Sequence, residues 1–185
     1  VIAADTSAVG TARNALAATN YGGDKAIFAY GNDGSITNTS NLVNSSGVVA
    51  SDTSGVGTTR TDLAAAGYGG DKALFAYGAA PSSSVTNVSN LVSSSGVVSA
   101  DVTGVGTARR YLAAAGYGVG LAIFGYGRTA GGTTDHLSMT NLVNSSGVVG
   151  SDVSGVGTAR NALAAVSYGE DKAIFGFGNG GAGST

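Results

Sequence analysis

Residues 11–31 read TARNALAATNYGGDKAIFAYG, and the fold turns on whether the first nine of them, TARNALAAT at 11–19, form a helix or a strand. Thr11 is a fit N-cap, and Ala, the strongest helix former, recurs through Ala12 to Ala18. In later copies of this stretch Gly67 and Gly116 stand where a helix would end. Against a helix, so short a segment is marginal, and an Ala-rich strand is what the crowded centre of a radial array of sheets requires. The second half is plainer: in KAIFAYG at 25–31, Ala26, Phe28 and Tyr30 alternate with Lys25, Ile27 and Ala29, the period of a strand with one bulky face.

Working outward, the stretch recurs. Arg13, Arg60, Arg109 and Arg160 lie 47, 49 and 51 residues apart, and Asp5, Asp52, Asp101 and Asp152 keep the same intervals. Such a period marks a solenoid, a propeller or an array. Each Asp precedes its Arg by 8 residues, and each Arg precedes the Gly that ends KAIFAYG or its equivalent by 18; Asn of Asn-Leu-Val precedes the next Asp by 11. All length variation falls in one stretch, from Gly31 to Asn41 (10), Gly78 to Asn90 (12) and Gly127 to Asn141 (14). A stretch that grows by twos while its surroundings stay fixed is expected to be a surface loop. Two further segments complete the unit: TSNLV at 39–43, and GVVASDT at 47–53 after the hairpin turn Asn44-Ser45-Ser46-Gly47. The chain is thus one repeat domain, 1–185, with units at about 1–46, 47–95, 96–146 and 147–185.

Composition narrows the function. Gly occurs 32 times in 185 residues, and charged residues make up 11 % with a net charge of −2, so no basic field exists for nucleic acid or an anionic bilayer. Cys is absent, which excludes disulfides and thiolate metal sites. Apolar runs such as Ala26 to Tyr30 are far too short to span a membrane, and no basic-then-apolar start suggests a signal peptide. No Gly-x-Ser-x-Gly elbow is present, and Gly10-Thr11-Ala12-Arg13 lacks the Lys and spacing of a phosphate loop, so it reads as a tight turn. His136, beside Asp135 in the longest variable stretch, has no second His for a metal and reads as a solvated loop residue. No cofactor, metal or catalytic residue is expected.

Arg60, Leu63, Ala64, Ala65 and Ala66, a Gly-rich turn, then Lys72-Ala73-Leu74-Phe75-Ala76-Tyr77-Gly78 resemble the first two strands of a kelch-type β-propeller blade. In that family an apolar strand ends in Gly-Gly; here Ala-Tyr-Gly or Gly-Tyr-Gly stands instead, and the Trp usual in kelch blades is missing. The repeat NLVNSSGVV…DVSGVGTARNALAA…YGEDKAIFGFG is also similar, over nearly the whole chain, to uncharacterised repeat proteins of tailed bacteriophages. That likeness implies a virion or tail-fibre setting and no activity.

The resulting expectation is an all-β, kelch-like propeller of about four four-stranded blades, with an αβββ repeat array as the alternative. The third segment occurs only three times, leaving a gap between Ala173–Gly178 and Val1–Thr6 in a closed ring. Either Gly183-Ser184-Thr185 fills it or the chain is a piece of a longer array, the second being preferred. The repeated charges Asp5, Arg13, Asp52, Arg60, Asp101, Arg109, Asp152 and Arg160 are expected to hold the crossover between blades, carboxylates accepting backbone N–H groups and guanidiniums donating to carbonyls. The variable loops are expected to share one face, making Asn32, Asp33, Arg128, Asp135 and His136 the candidate ligand-binding residues. The function expected is display: a non-enzymatic virion or extracellular component showing these loops to a host-surface glycan, partnered by other fibre proteins or by its own copies. A purely architectural fibre protein is the alternative, and a polysaccharide-acting enzyme the lesser one.

Overall fold

A computed structural model describes residues 7, 9–132 and 135–180 of the chain. Asp5 and the first copy of the fourth segment, Thr133 and Thr134 in the third variable stretch, and the Gly183–Thr185 stub lie outside the described residues.

The protein is all-β, built of small antiparallel sheets, and no α-helix occurs among the described residues. The first unit holds β1 (Ala17–Tyr21), β2 (Lys25–Asn32) and β3 (Ile36–Val43). The second holds β4 (Ala64–Tyr68), β5 (Lys72–Ala76) and β6 (Ser89–Val92), and the third β7 (Ala113–Tyr117), β8 (Leu121–Gly125) and β9 (Thr140–Val143). In the fourth, β10 (Arg160–Asn161) pairs with β13 (Asn179–Gly180), and β11 (Ala164–Tyr168) with β12 (Lys172–Gly176).

The αβββ alternative is overturned, and the reason is local. Ala15, Asp62, Tyr111 and Ala162 all sit at φ between 51° and 56°, a left-handed conformation that no right-handed helix accommodates. The inner strand therefore starts two residues later, at Ala17 and its equivalents, and Gly67 and Gly116 lie within strands instead of ending helices. These four residues link the units: Asp62 N donates to Ala15 O (3.0 Å), Tyr111 N to Asp62 O (2.9 Å) and Ala162 N to Tyr111 O (2.9 Å).

Among the described residues no unit has four full strands. The fourth segment joins its sheet through single bridges, Val43 to Val49 and Ser40 to Thr53 in the first unit, with the same pairs repeated in the second and third. The hairpin turn at Asn44 is formed as expected, its Oδ1 accepting from Ser46 N (3.0 Å) and Val48 N (2.9 Å). The variable stretch is less of a loop than expected: β2 runs on to Asn32 and β3 begins at Ile36, so only the tip between them is irregular. The matching bridges are Asn32 to Ile36, Ala79 to Val85 and Arg128 to His136, so the residues added in later copies fall inside the tip.

The units stack in series. The inner strands meet as β1 with β4, β4 with β7 and β7 with β11, and no contact of comparable extent joins β1 to β11. Between consecutive units, one unit's Tyr packs on the next unit's Phe: Tyr30 on Phe75, Tyr77 on Phe124 and Tyr126 on Phe175, with ring centres 5.3, 5.6 and 5.5 Å apart. The two buried clusters lie at these joints, one with Tyr21, Ile27 and Tyr30 against Ala73, Phe75 and Val92, the other with Tyr68, Leu74 and Tyr77 against Leu112, Phe124 and Val143. Alanines such as Ala64 and Ala66 are wedged where neighbouring inner strands run side by side, which is why this strand carries few larger side chains.

Candidate functional site

Each repeated Asp stands eight residues before an Arg, but the structure brings it to a different one. Asp52 does not meet Arg60; it belongs with Arg13, whose Nη1 lies 3.9 Å away, and Asp152 likewise belongs with Arg109 at 4.0 Å. The link is an asparagine of the third strand. Arg60 Nη2 donates to Asn90 Oδ1, while Asn90 Nδ2 donates to Asp101 Oδ1 at 2.9 Å. Asp101 also accepts from Thr58 N and Thr58 Oγ1, the latter at 2.6 Å, and Arg60 Nη1 donates to the carbonyls of Tyr77 (3.1 Å) and Val88 (2.8 Å). Thr11, Asn41 and Asp52, and Thr107, Asn141 and Asp152, repeat the carboxylate half of this network. In the first three sheets it ties the Gly-Thr-x-Arg turn before the inner strand to the fourth segment that follows the same sheet, so it is a clasp and not a reactive pair.

Two features follow from the clasp. A side chain at Gly57 would place Cβ 2.2 Å from Asp101 Oδ1, and φ there is +81°, so the Gly-Thr-x-Arg turn requires its glycine to admit the carboxylate. Burial pushes the Asp101 and Asp152 carboxyls up, but hydrogen bonds from Thr58 and Asn90, and from Thr107 and Asn141, outweigh it and hold both below the usual carboxylate range. At Asp52 the hydrogen bonds from Thr11 and Asn41 lead, with the same result. In the fourth unit Arg160 donates to Thr158 O (3.1 Å) and Phe177 O (3.3 Å).

The site with chemical potential is at the loop end of the third unit. Each of the first three units has a row of three bridged positions there: Asn14, Asn32 and Ile36 in the first, and Thr61, Ala79 and Val85 in the second. The third has Arg110, Arg128 and His136. Arg110 and Arg128 are thus directly opposite each other on paired backbone, and like charges so placed repel. Both guanidiniums lie by the Tyr111 ring, 5.2 and 5.0 Å from its centre. Among the described residues no carboxylate comes within ion-pairing distance of either, and the Arg128 guanidinium makes one hydrogen bond, from Nη1 to Gly132 O at 3.2 Å. Tyr111, Arg128 and His136 line a cleft of about 220 Å³ with Asn161, Ala162 and Asn179 of the fourth unit.

Of the expected binding residues, Arg128 and His136 come together in this cleft. His136 is half-buried in a bridge, not the solvated loop residue its sequence context suggested, and among the described residues its Nδ1 has no hydrogen-bond partner. Asp135 is engaged elsewhere, accepting from Thr129 Oγ1 at 3.0 Å to shape the loop. Asn32 and Asp33 are in the first unit's tip, where Asn32 Oδ1 accepts from Gly34 N (2.8 Å) and Asp33 Oδ1 from Ser35 N (3.2 Å); they do not line this cleft. Arg110 and Tyr111 were not singled out from the sequence, although they replace the Asn-Ala and Thr-Asp found at the same repeat position.

A larger cleft, about 350 Å³, opens at the opposite end, where the hairpin turns of all four units meet beside Tyr68, Tyr117 and Tyr168. Its cation Lys72 has a carboxylate at hand, Asp71 at 4.0 Å, and so offers no uncompensated charge. No cluster of three metal-ligating side chains occurs among the described residues. The sequence matches no protein-family model and no curated protein.

Proposed function

We propose that the chain is a non-enzymatic display protein of a virion or other extracellular assembly, its blades arranged as a kelch-like propeller arc, and that the third unit's loop end binds an acidic group of a host-surface glycan. The observation that carries the reading is Arg110 opposite Arg128, both beside the Tyr111 ring and, among the described residues, with no carboxylate within ion-pairing distance, an arrangement that an incoming carboxylate or phosphate relieves. The aromatic face beside the cations suits a sugar ring, and Asn161 and Asn179 add neutral polar groups for its hydroxyls. The arc is supported by the four inner strands, which border one groove.

The test is an array of acidic and neutral glycans probed with the wild-type chain and with a variant carrying Arg110→Ala, Arg128→Ala and His136→Ala. Expected are binding to acidic glycans, a fall with added salt, and at least about a tenfold loss in the variant. Binding to no glycan would leave the purely architectural reading in its place. Loss on altering Tyr68–Asp71, with the triple variant unaffected, would move the site to the opposite end.

A further inference from the structure

The cleft of about 350 Å³ among the inner hairpin turns is bordered by residues of every unit, so it belongs to the series itself and to neither end of it. In three units the Tyr that closes the inner strand stands directly opposite a Lys on the next strand: Tyr21 and Lys25, Tyr68 and Lys72, Tyr168 and Lys172. In the third unit the partner of the half-buried Tyr117 is Leu121, so no cation stands across from this ring. Gly120 also replaces the Asp of the other turns, and packing accounts for that change: a Cβ there would lie 3.1 Å from the Gly69 backbone. The same packing does not account for Leu121. The fourth unit departs in the same electrostatic sense. Gly23 and Gly70 hold the left-handed position of their turns at φ +84°, and Glu170 takes that position at φ +65°. A side chain is strained in this conformation, and strain kept at one position points to a use for the residue. Asp71 is paired with Lys72 and Asp171 with Lys172, whereas among the described residues no cation comes within ion-pairing distance of Glu170. Burial, and after it the Asp71 charge, push the Tyr68 hydroxyl above its usual range, so negative potential reaches the strand ends.

We infer that this cleft binds an organic ammonium group of the size of choline, set beside Tyr117 where the other units place a lysine, with Glu170 as its counter-ion. A carboxylate holds such a cation by charge, and an aromatic ring holds it by the negative potential of its face. The cleft is at the small end of the range for ligand sites, which suits a compact group. An anion fits poorly because Lys72 is already paired, and a metal ion fits poorly because no cluster of three ligating side chains occurs among the described residues. The site is opposite in sign to the arginine cleft at the loop end and does not depend on it.

The test titrates the ¹⁵N-labelled 185-residue chain with choline chloride to about 20 mM, where weak binding is populated, against sodium chloride at the same ionic strength. Shifts are expected in the amides of Tyr117, Gly118, Gly120 and Glu170 with choline and none with sodium. Glu170→Gly restores the residue of the first two units, so it should not lower the melting temperature, yet it should weaken binding at least about threefold. Leu121→Lys sets the repeat's own ammonium opposite Tyr117 and should abolish binding. Phosphocholine is titrated in parallel: binding of either compound supports the proposal, choline the tighter if the ammonium comes free and phosphocholine if a phosphate carries it. Absence of shifts at the turn end with both compounds overturns the proposal. So do equal shifts from sodium, and so does unchanged affinity in either variant when it is folded.

Discussion

The guanidinium of Arg60 lies 4.6 Å from the centre of the Tyr30 ring in the preceding unit, while its Nη2 donates to Asn90 in its own. One buried cation thus joins two units and closes one of them. Removing it leaves Asn90 and the carbonyls of Tyr77 and Val88 without their donor in a buried place. Arg60→Ala is expected to cost about 3 kcal/mol or more, since each buried acceptor left unsatisfied costs about 1–3 kcal/mol. Arg160→Ala, in the more exposed fourth unit, should cost under about 1 kcal/mol. Urea unfolding of both variants measures the difference.

Aromatic truncation should show the same gradient. Tyr77 is fully buried against Phe124, so Tyr77→Ala is expected to lose about 3–5 kcal/mol. Phe177→Ala, at the equivalent position, should lose under about 0.5 kcal/mol in the monomer. Equal losses would show that the fourth unit is covered.

Acid should loosen the clasps. Asp52, Asp101 and Asp152 have folded-state pKa values below the usual 3.8, so they add stability that is complete above that value and is lost as pH falls through the lowered ones. The melting temperature is expected to hold between about pH 7 and 5 and to drop below about pH 4. Asp101→Asn should melt lower at neutral pH and show a shallower acid limb.

Deleting Ala130 and Gly131 shortens the third hairpin tip to the length of the second. The expected cost is under about 0.6 kcal/mol, since closure entropy varies with the logarithm of loop length. Deleting two residues within β8 shifts the pairing of Ala122 with Val143 and Phe124 with Asn141, and should abolish folding.

Much of this was legible in the sequence. The repeat, the strand at KAIFAYG and the turn at Asn44 followed from spacing and alternation, while the all-β class rested on the resemblance to kelch blades. The constant 11 residues from Asn90 to Asp101 even marked a hydrogen bond. Arg60 was read with Asp52 because that is its nearest repeated carboxylate in sequence, whereas the fold links Arg60 through Asn90 to Asp101, brought up from beyond three hairpin turns. The first segment stayed ambiguous because the left-handed turn at Ala15, Asp62, Tyr111 and Ala162 has no residue type in common. Arg110 and Tyr111 could have been found by comparing copies position by position, where their row alone changes from Asn or Thr to Arg. The serial stacking depends on the geometry of the joints, which spacing does not encode.

The most direct measurement for the binding site is a titration of ¹⁵N-labelled protein with an acidic trisaccharide such as sialyllactose, followed by nuclear magnetic resonance alongside neutral lactose. The account requires shifts in the Nε–H signals of Arg110 and Arg128 and in the amides of Tyr111 and His136, with none from lactose. Shifts gathered instead at Tyr68–Lys72 and Tyr117–Leu121, or equal shifts from both sugars, would contradict it.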